Sequence, residues 1–347
     1  MHVKYKYDLT IIVPFYKRDN YALEILKLIN NENIQLSYKI EIIYVDSKSS
    51  LILQKKLNEF NISSNISVRV VNAYNSAGAK RNKGIKEANS SIIICLDDDC
   101  LPGKDFLKHH VDALNKKNSE SIIYSGLVYF PEDICKSSNY YKFRNQRHRV
   151  FDEIYKNNQN IDFHNIITMN MSFRKENIIE KKILFDEDYT TYGLEDTQFG
   201  LDAMKKGFTL KTCLAPIYHQ ESTSIELFIL KIRNFSQNYF HQFYKKNSSF
   251  LINKENTKYF NNGIIPHSSL VKLAFLYHRL NMNYPKILLL LKTFNFFFHP
   301  LILILKTFLK KTDNKSFLYS FWAYKMLIII TILSTLFGKK IQSKDFI

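Results

Sequence analysis

The chain has 347 residues, of which 46% are hydrophobic, so it can bury a catalytic-sized core and is too apolar for a disordered protein. Its 49 Lys and Arg against 32 Asp and Glu give a formal net charge of +17. This excess indicates an anionic partner: a phosphate compound, a nucleic acid or an anionic lipid surface. The four cysteines show no zinc spacing and the N-terminus has no apolar signal segment, so we expect reduced thiols in a cytoplasmic protein.

Strand and helix patterns alternate through the first two-thirds of the chain. Strands are predicted at 9–15, 40–45, 67–71 and 92–96, and helices at 21–30, 51–60 and 80–88. This alternation is typical of an α/β fold, a mostly parallel sheet flanked by helices, in which ligands bind at the carboxyl ends of the strands. Neither GxxxxGK[ST] nor GxGxxG occurs, so the sequence does not support a P-loop or a dinucleotide-binding domain.

The most informative segment is a predicted strand that ends in three carboxylates. Residues 92–101 read IIICLDDDCL, so Asp97, Asp98 and Asp99 directly follow an apolar run. Adjacent acids repel one another, and a divalent cation shared with a phosphorylated ligand would relieve that repulsion. The alternative is a solvated acidic turn. Asp46 also follows a predicted strand, so parallel pairing would bring it to the same crevice.

Several segments, taken in order, resemble a known family. LTIIVPFYKR, EIIYVD, NSAGAKRNKGI and IICLDDD are similar to the nucleotide-binding half of a GT-A glycosyltransferase of family two. HNIITMNMSFR at 164–174, LFDEDYTTYGLEDTQFGLDAMKKG at 184–207 and PIYH at 216–219 are similar to its acceptor half. The resemblance covers residues 8–225 and implies a GT-A (Rossmann-like) catalytic domain over residues 1–225.

The resemblance implies direct displacement of a nucleotide diphosphate, with inversion at the anomeric carbon and with Mn²⁺ or Mg²⁺ as a Lewis acid. In this DXD motif, Asp99 is the expected direct metal ligand and Asp97 lies near the ribose or the metal. Asp98 is either a bystander or a helper. His219 is a further candidate ligand, since imidazole binds such ions, and a hydrogen-bonded core or surface histidine is the alternative.

The resemblance also places the base and ribose of the donor over the first two strand ends. Pro14, Tyr16 and Asp46 match positions that hold the base, with Asp46 accepting a hydrogen bond from a base N–H. Arg18, in the same turn, is a weaker candidate. A UDP-sugar is the default donor, because a carboxylate at this position suits the N–H of uracil.

The segment at 75–82, NSAGAKRN, opens a predicted helix. Gly78 permits close backbone approach, and Lys80 and Arg81 can meet phosphate charge. The family places its key arginine at the position of Arg81. Helix starts favour acids, so two cations in the first turns indicate an anionic ligand, and a plain basic helix start is the alternative.

Two acids, Glu195 and Asp196, open another predicted helix, where the helix dipole stabilises negative charge without any catalytic role. The resemblance implies that one of them is the general base that deprotonates the acceptor hydroxyl. We expect Asp196 to be the base and Glu195 to bind the acceptor sugar. The QxxRW motif of processive synthases is absent and the only Trp is Trp322, which indicates transfer of single sugars.

The composition changes at residue 226. Segments 228–244 and 270–280 are basic and aromatic, 287–309 and 317–337 are strongly apolar, and residues 270–347 carry 12 Lys and Arg against 2 Asp and Glu. Such residues suit the headgroup layer of an anionic membrane. Segment 317–337 is long enough to span a bilayer but contains Lys325, so we predict a helical, peripheral or monotopic region over 226–347. A buried helical cap on the catalytic domain is the alternative.

Together these observations predict an inverting hexosyltransferase that builds bacterial surface polysaccharide at the cytoplasmic face of the inner (plasma) membrane. Its expected partners are a nucleotide-diphospho-sugar, a glycan or lipid-linked glycan acceptor, and the anionic membrane surface. We expect no nucleic-acid partner, because the excess charge lies in an apolar tail. A catalytically silent GT-A-like membrane scaffold or binding protein is the alternative.

Overall fold

The computed structural model describes residues 4–48, 51–116, 121–156, 160–190, 193–221, 223–238, 242–243, 245–247, 249 and 295–337. The basic and aromatic segment predicted at 270–280, residues 239–241 and 244 of the one at 228–244, and residues 287–294 of the next apolar segment therefore lie outside the described residues. The chain divides into two compact units. The first consists of Met1–Pro131, His148–Thr191 and Glu195–Glu221, and the second of Glu132–Arg147, Tyr192–Leu194 and Ser222–Ile347.

Eight strands form a single sheet in the first unit, in the order β3-β2-β1-β4-β7-β6-β8-β5. Their bounds are β1 Leu9–Pro14, β2 Ile40–Asp46, β3 Ile66–Asn72, β4 Ile92–Leu96, β5 Cys100–Pro102, β6 Ile122–Tyr129, β7 Asn170–Arg174 and β8 Thr209–His219.

In the described part of the chain the helices alternate with these strands and then continue alone. Their bounds are α1 Asp19–Leu36, α2 Leu51–Asn58, α3 Ala77–Glu87, α4 Phe106–Leu114, α5 Glu132–Ser137, α6 Asn139–His148, α7 Val150–Lys156, α8 Lys175–Glu180, α9 Glu195–Lys205, α10 Ile225–Asn238, α11 Asn295–Lys311 and α12 Phe321–Phe337.

The first half of the sheet is parallel, as the alternation of patterns predicts. β1 pairs in parallel with β2 and with β4, and β2 pairs in parallel with β3. β2 and β4 are buried along their whole length, which is why they read as continuous apolar runs instead of alternating ones. The four predicted strands and three predicted helices of this half are confirmed, and the α/β fold with them. Parallel pairing brings the carboxyl ends of β1, β2 and β4 to one edge.

The second half of the sheet is mixed. β7 runs antiparallel to both β4 and β6, and β8 pairs in parallel with β6 and antiparallel with β5. Two of these pairings shape the edge where β4 ends. Leu96 lies opposite Asn170, and Cys100 lies opposite His219. The sequence patterns do not predict either pairing.

Close packing of α3 on β1 depends on Gly84. A Cβ at this position would lie 2.3 Å from Cγ2 of Ile12, well inside van der Waals contact. The helix that carries Lys80 and Arg81 can therefore lie directly on the sheet only because this residue has no side chain.

A buried histidine joins α4 to the second half of the sheet. Nε2 of His110 lies 2.8 Å from Oδ1 of Asn170, and Nδ1 lies 2.8 Å from Oγ of Ser172. The amide nitrogen of Asn170 donates to the carbonyls of Leu127 and Ala215, so its oxygen must accept from Nε2–H. Complete burial in this network lowers the pKa of His110 to about 4.

The second unit is helical in its described part, with a core built from α6, α10, α11 and α12 that includes Phe143, Ile302 and Tyr324. Asp313, just beyond α11, accepts hydrogen bonds from the backbone N–H of Tyr140 and from the hydroxyl of Ser138, at 2.7 and 2.8 Å. The described helices include none that is both long and apolar enough to cross a bilayer.

Candidate active site

A cavity of about 970 Å³ opens at the carboxyl ends of β1 and β2. Its walls come from the turn after β1, from the start of α1 and from the turn after β2. The lining residues are Phe15, Tyr16, Lys17, Arg18, Asp19, Asn20, Tyr21, Asp46, Ser47, Lys48 and Ile52. An open cavity at this edge of a parallel sheet is where an α/β fold binds a ligand.

A buried lysine on α3 stabilises the turn after β1 through a hydrogen bond. Nζ of Lys80 donates to the carbonyl oxygen of Phe15 at 2.7 Å and lies 5.6 Å from the centre of the Tyr16 ring. Burial lowers the pKa of Lys80, although Asp46 and Asp98 oppose that shift. Lys80 thus fixes the position of Tyr16, whose side chain is about half exposed in the cavity.

The last residues of the first two strands differ in their access to the cavity. Asp46, at the end of β2, is 5% exposed and lines the cavity, and its Oδ1 accepts a hydrogen bond from the N–H of Ser47 at 2.7 Å. Pro14 ends β1 and is half-buried, and it precedes the lining residues without being one of them.

Two of the three adjacent acids are buried beside the cavity and share one arginine. Nη1 of Arg18 lies 2.5 Å from Oδ1 of Asp98 and 3.1 Å from Oδ2 of Asp99, and the N–H of Tyr16 donates to Asp98 Oδ2 at 2.7 Å. Burial raises the pKa of Asp98 to about 6, with Arg18 opposing the shift. The pKa of Asp99 falls to about 2, because His219 and Arg18 outweigh the effect of its burial.

Asp99, Cys100 and His219 form a cluster that can hold a metal ion. One ligand atom from each lies within 4.8 Å of the others, and Nε2 of His219 is 3.5 Å from Oδ1 of Asp99. Nδ1 of His219 is buried without a hydrogen-bond partner among the described residues, as expected for a side chain that has another ligand to bind. The donor set therefore fits a divalent cation. Asp97 is not in this cluster, because its Oδ1 accepts from Arg81.

Arg81 lies between the end of β4 and the start of α9. Its side chain is 3% exposed, with Nη2 at 2.7 Å from Asp97 Oδ1 and Nη1 at 3.8 Å from Asp196 Oδ1. The pKa of Arg81 is raised despite burial, because both carboxylates flank it. The hydroxyl of Thr168 donates to the same oxygen of Asp196.

Asp196 is one-third exposed, and the pKa of its carboxyl is raised by burial against the opposing effects of Arg81 and Thr168. Glu195 is the residue before it and the first of α9, as predicted. A carboxylate with a raised pKa, held in one orientation and still open to solvent, has the properties of a general base.

The first turn of α3 is capped by a side chain and packs against the segment before α9. Oγ of Ser76 accepts from the N–H of Ala79 at 3.1 Å, which caps the helix. A Cβ at Gly78 would lie 3.2 Å from Phe185 Cβ and 3.3 Å from the carbonyl oxygen of Asp186. The close approach that Gly78 permits is therefore to the segment before α9.

The predicted site residues separate into three groups at one sheet edge: the cavity with Tyr16 and Asp46, the buried acids with His219, and the group around Arg81. Cys100 and Thr168 are site residues that no pattern in the sequence predicts. Both lie within quoted segments, Cys100 in IIICLDDDCL and Thr168 in HNIITMNMSFR, but only the β5–β8 and β4–β7 pairings bring them to the site. The chemical roles of all these residues stay predictions.

Residues 10–180 match the sequence model of glycosyl transferase family 2. Among solved structures, the mannosyltransferase PcManGT from Pyrobaculum calidifontis, in complex with GDP-Man and Mn²⁺, matches with a TM-score of 0.53 and 14% identity, over 96% of this chain and 87% of that one. S. aureus TarS matches with a TM-score of 0.45 and 14% identity, over 80% of this chain and 44% of that one. TarS 1–349 with UDP-GlcNAc matches with a TM-score of 0.43 and 16% identity, over 73% and 79%. This chain thus spans less than half the length of the longer TarS chain. No curated protein matches it in sequence.

Proposed function

This chain belongs to glycosyl transferase family 2 and has the GT-A fold, and we propose that it transfers one sugar from a nucleotide-diphospho-sugar to an acceptor hydroxyl with inversion. The proposal rests on one observation: three features lie at the same edge of the sheet. These are an open cavity, a buried carboxylate and histidine cluster, and an oriented carboxylate on α9. PcManGT is described with GDP-Man, which supports this class of donor.

The cavity beside β1 and β2 is the proposed site of the nucleotide. Asp46 would accept a hydrogen bond from a base N–H, and Tyr16 presents a half-exposed ring to the same space. Asp46 has no proton to donate when ionised, so it would favour bases that present an N–H over bases that present an acceptor. We propose a UDP-sugar as the donor, with GDP-sugars as the competing class.

Asp99 and His219, joined by Cys100, would hold the divalent cation beside the cavity. When bound, the ion supplies Lewis-acid stabilisation for the departing diphosphate. We propose Mn²⁺ as the ion, because Mg²⁺ takes oxygen ligands in near-ideal octahedral geometry and a histidine is a poor substitute for one of them. PcManGT is described with Mn²⁺.

Asp196 is the proposed general base. Thr168 and Arg81 hold its Oδ1, so the orientation of the carboxylate is set before an acceptor arrives. The acceptor hydroxyl would give its proton to Asp196 while its oxygen forms a bond to the anomeric carbon. The bond from that carbon to the diphosphate breaks on the opposite face, and the diphosphate leaves with the electron pair. Glu195 would bind the acceptor sugar.

The second unit supports the proposed attachment to the cytoplasmic face of the inner membrane. Phe297 and Ile304 on α11 are 63% and 64% exposed, and Trp322 on α12 is 70% exposed. α11 ends in Lys310, which pairs with Glu226 at 2.8 Å, and Lys311. Apolar side chains with adjacent cations suit an anionic lipid surface. An enzyme held there would meet a lipid-linked glycan, the acceptor that we propose for bacterial surface polysaccharide.

The test is calorimetric titration of UDP, GDP, CDP and TDP into the purified full chain, with Mn²⁺, with Mg²⁺ and with a chelator. We expect one nucleotide to bind at least about tenfold more tightly with Mn²⁺ than with the chelator, and Asp99→Asn to remove that difference. Asp196→Asn is the matched control, since it removes one carboxylate of the same site without touching the cavity. If no nucleotide binds the folded chain under any condition, the donor proposal is wrong and a silent scaffold is supported.

A further inference from the structure

Arg18 places a positive charge on the two acids that the proposed function assigns to a metal ion and its ligand. Its Nη1 lies within 3.1 Å of both Asp98 and Asp99, and the same side chain lines the cavity. We propose that Arg18 is an internal counter-ion that couples metal binding to nucleotide binding. It covers the acids in the empty enzyme and turns to the diphosphate when the donor and the cation enter together.

The geometry of the turn leaves Arg18 free to make this change. The preceding residue, Lys17, has a left-handed backbone with φ of 55°, and the side chain of Arg18 is 43% exposed. Arg18 stands at the N-cap position of α1 but makes no side-chain cap, so moving it removes no helix contact. Asp98 keeps its hydrogen bond from the N–H of Tyr16.

The charges explain why one ligand helps the other. A divalent cation that reaches Asp99 alone meets the guanidinium already paired with that carboxylate, so its binding is opposed by the loss of that pair. A nucleotide alone brings its diphosphate toward Asp98 and Asp99, which repel it. When both ligands bind, the cation pairs with the carboxylates and Arg18 pairs with phosphate oxygens, for which a guanidinium is well matched. Coupling of this kind is reciprocal between the two ligands.

Asp97 does not take part in this exchange, since its charge is matched by a different arginine. Arg81 is 3% exposed and lies 2.7 Å from Asp97, so it has neither the space nor the freedom to follow a ligand. The inference rests on the proposed function and assigns to Arg18 a positioning role that the sequence alone does not indicate.

The experiment measures the Kd of Mn²⁺ for the full chain, with and without a saturating nucleotide diphosphate, by calorimetry and by the EPR signal of free Mn²⁺. We expect the wild-type Kd to fall at least about tenfold when UDP is present. In Arg18→Met, Mn²⁺ alone should bind about threefold to tenfold more tightly than in the wild type. The factor by which UDP lowers that Kd should be at least about threefold smaller than in the wild type, because only the attraction between the ion and the diphosphate remains. Lys27→Met removes the same charge from an exposed side chain on α1, outside the cavity lining, and should keep the wild-type coupling.

An unchanged Mn²⁺ Kd in Arg18→Met, or full coupling in that variant, overturns the inference. If the wild type binds no nucleotide, the proposed function fails, yet the comparison with Mn²⁺ alone still tests the counter-ion. Thermal unfolding checks that each variant is folded. Should Arg18→Met not fold, Arg18→Lys keeps the charge without the planar fork, and coupling equal to that of the wild type would contradict the role of the guanidinium.

Discussion

Two arginines stabilise the three adjacent carboxylates after β4, and each arginine pairs with different members of the run. Arg81 pairs with Asp97 and reaches toward Asp196, and Arg18 pairs with Asp98 and Asp99. The mutual repulsion of the three carboxylates, from which the sequence predicts a cation, is thus already reduced by Arg18 and Arg81. One arginine is 3% exposed, and the side chain of the other is 43% exposed. The two halves of the acidic run are therefore suited to different tasks.

His110 gives a prediction about stability and pH. Its pKa of about 4 in the folded chain is below the ordinary value of 6.5, so the unfolded chain binds a proton first as pH falls. Its contribution to stability is complete above pH 6.5 and is lost between pH 6.5 and 4, by roughly 3 kcal/mol in total. Urea unfolding at pH 7 and at pH 5 should show a steeper loss for the wild type than for His110→Gln.

Subtracting the loss of stability of His110→Gln from that of the wild type gives the contribution of His110, separate from the acids that also titrate in this pH range. We expect it to be about 2 kcal/mol, in proportion to the pH interval covered. NMR titration of the ring should show that His110 stays neutral above pH 5. Equal losses in the two proteins, or protonation near pH 6.5, would contradict the buried network with Asn170 and Ser172.

At the scale of elements, the packing of α3 on β1 gives a second prediction. Gly84→Ala would place a methyl group 2.3 Å from Cγ2 of Ile12. Overpacking of this kind costs about 1–3 kcal/mol, and the better helix propensity of Ala returns up to about 1 kcal/mol. We expect a net loss of stability in chemical unfolding, together with weaker nucleotide binding, because α3 carries Lys80 and Arg81.

A double-mutant cycle is the control for this prediction. Ile12→Ala removes the side-chain atoms that the new methyl group meets, so Gly84→Ala should be less costly in that background. Additive effects of the two substitutions would show that the close contact is not the cause.

Some elements of the fold can be predicted from the sequence, and others cannot. Elements β1 to β4 and the helices between them follow from hydrophobic patterns, because each strand is an apolar run and each helix repeats its apolar residues at helical spacing. The acids at the ends of β2 and β4 are predicted for the same reason. Cys100 and Thr168 depend on pairing with distant segments, and no local pattern encodes which strand lies next to which. His219, the final residue of β8, faces Cys100 through the same long-range β5–β8 pairing.

At the scale of the whole molecule, the second unit carries the prediction about lipid. Trp322 is the only tryptophan and is 70% exposed, so its fluorescence reports on this unit alone. We expect a blue shift of the emission with vesicles of anionic lipid, little change with zwitterionic vesicles, and reversal at high salt. The measurement is a titration of the chain with vesicles of each composition.

A matched pair of substitutions controls this titration. Ile304→Ser, on α11, should weaken partition into anionic vesicles about threefold to tenfold. Ile34→Ser changes an equally exposed isoleucine on α1, at 67% exposure against 64%, and should leave partition unchanged. Equal effects of both, or no shift of Trp322 with any vesicle, would contradict attachment through the second unit.

The antiparallel pairing of β4 with β7 also bears on how the chain is made. Strands β1 to β4 are complete once residue 96 has left the ribosome, but β4 finds its second neighbour only at Asn170–Arg174. At about 5–20 residues per second, the outer edge of β4 waits roughly 4–15 s for that partner. Throughout this interval an apolar strand offers unpaired backbone groups to any other nascent chain. The pairing that completes the acidic edge is thus also a step at which the growing chain is exposed to misassembly.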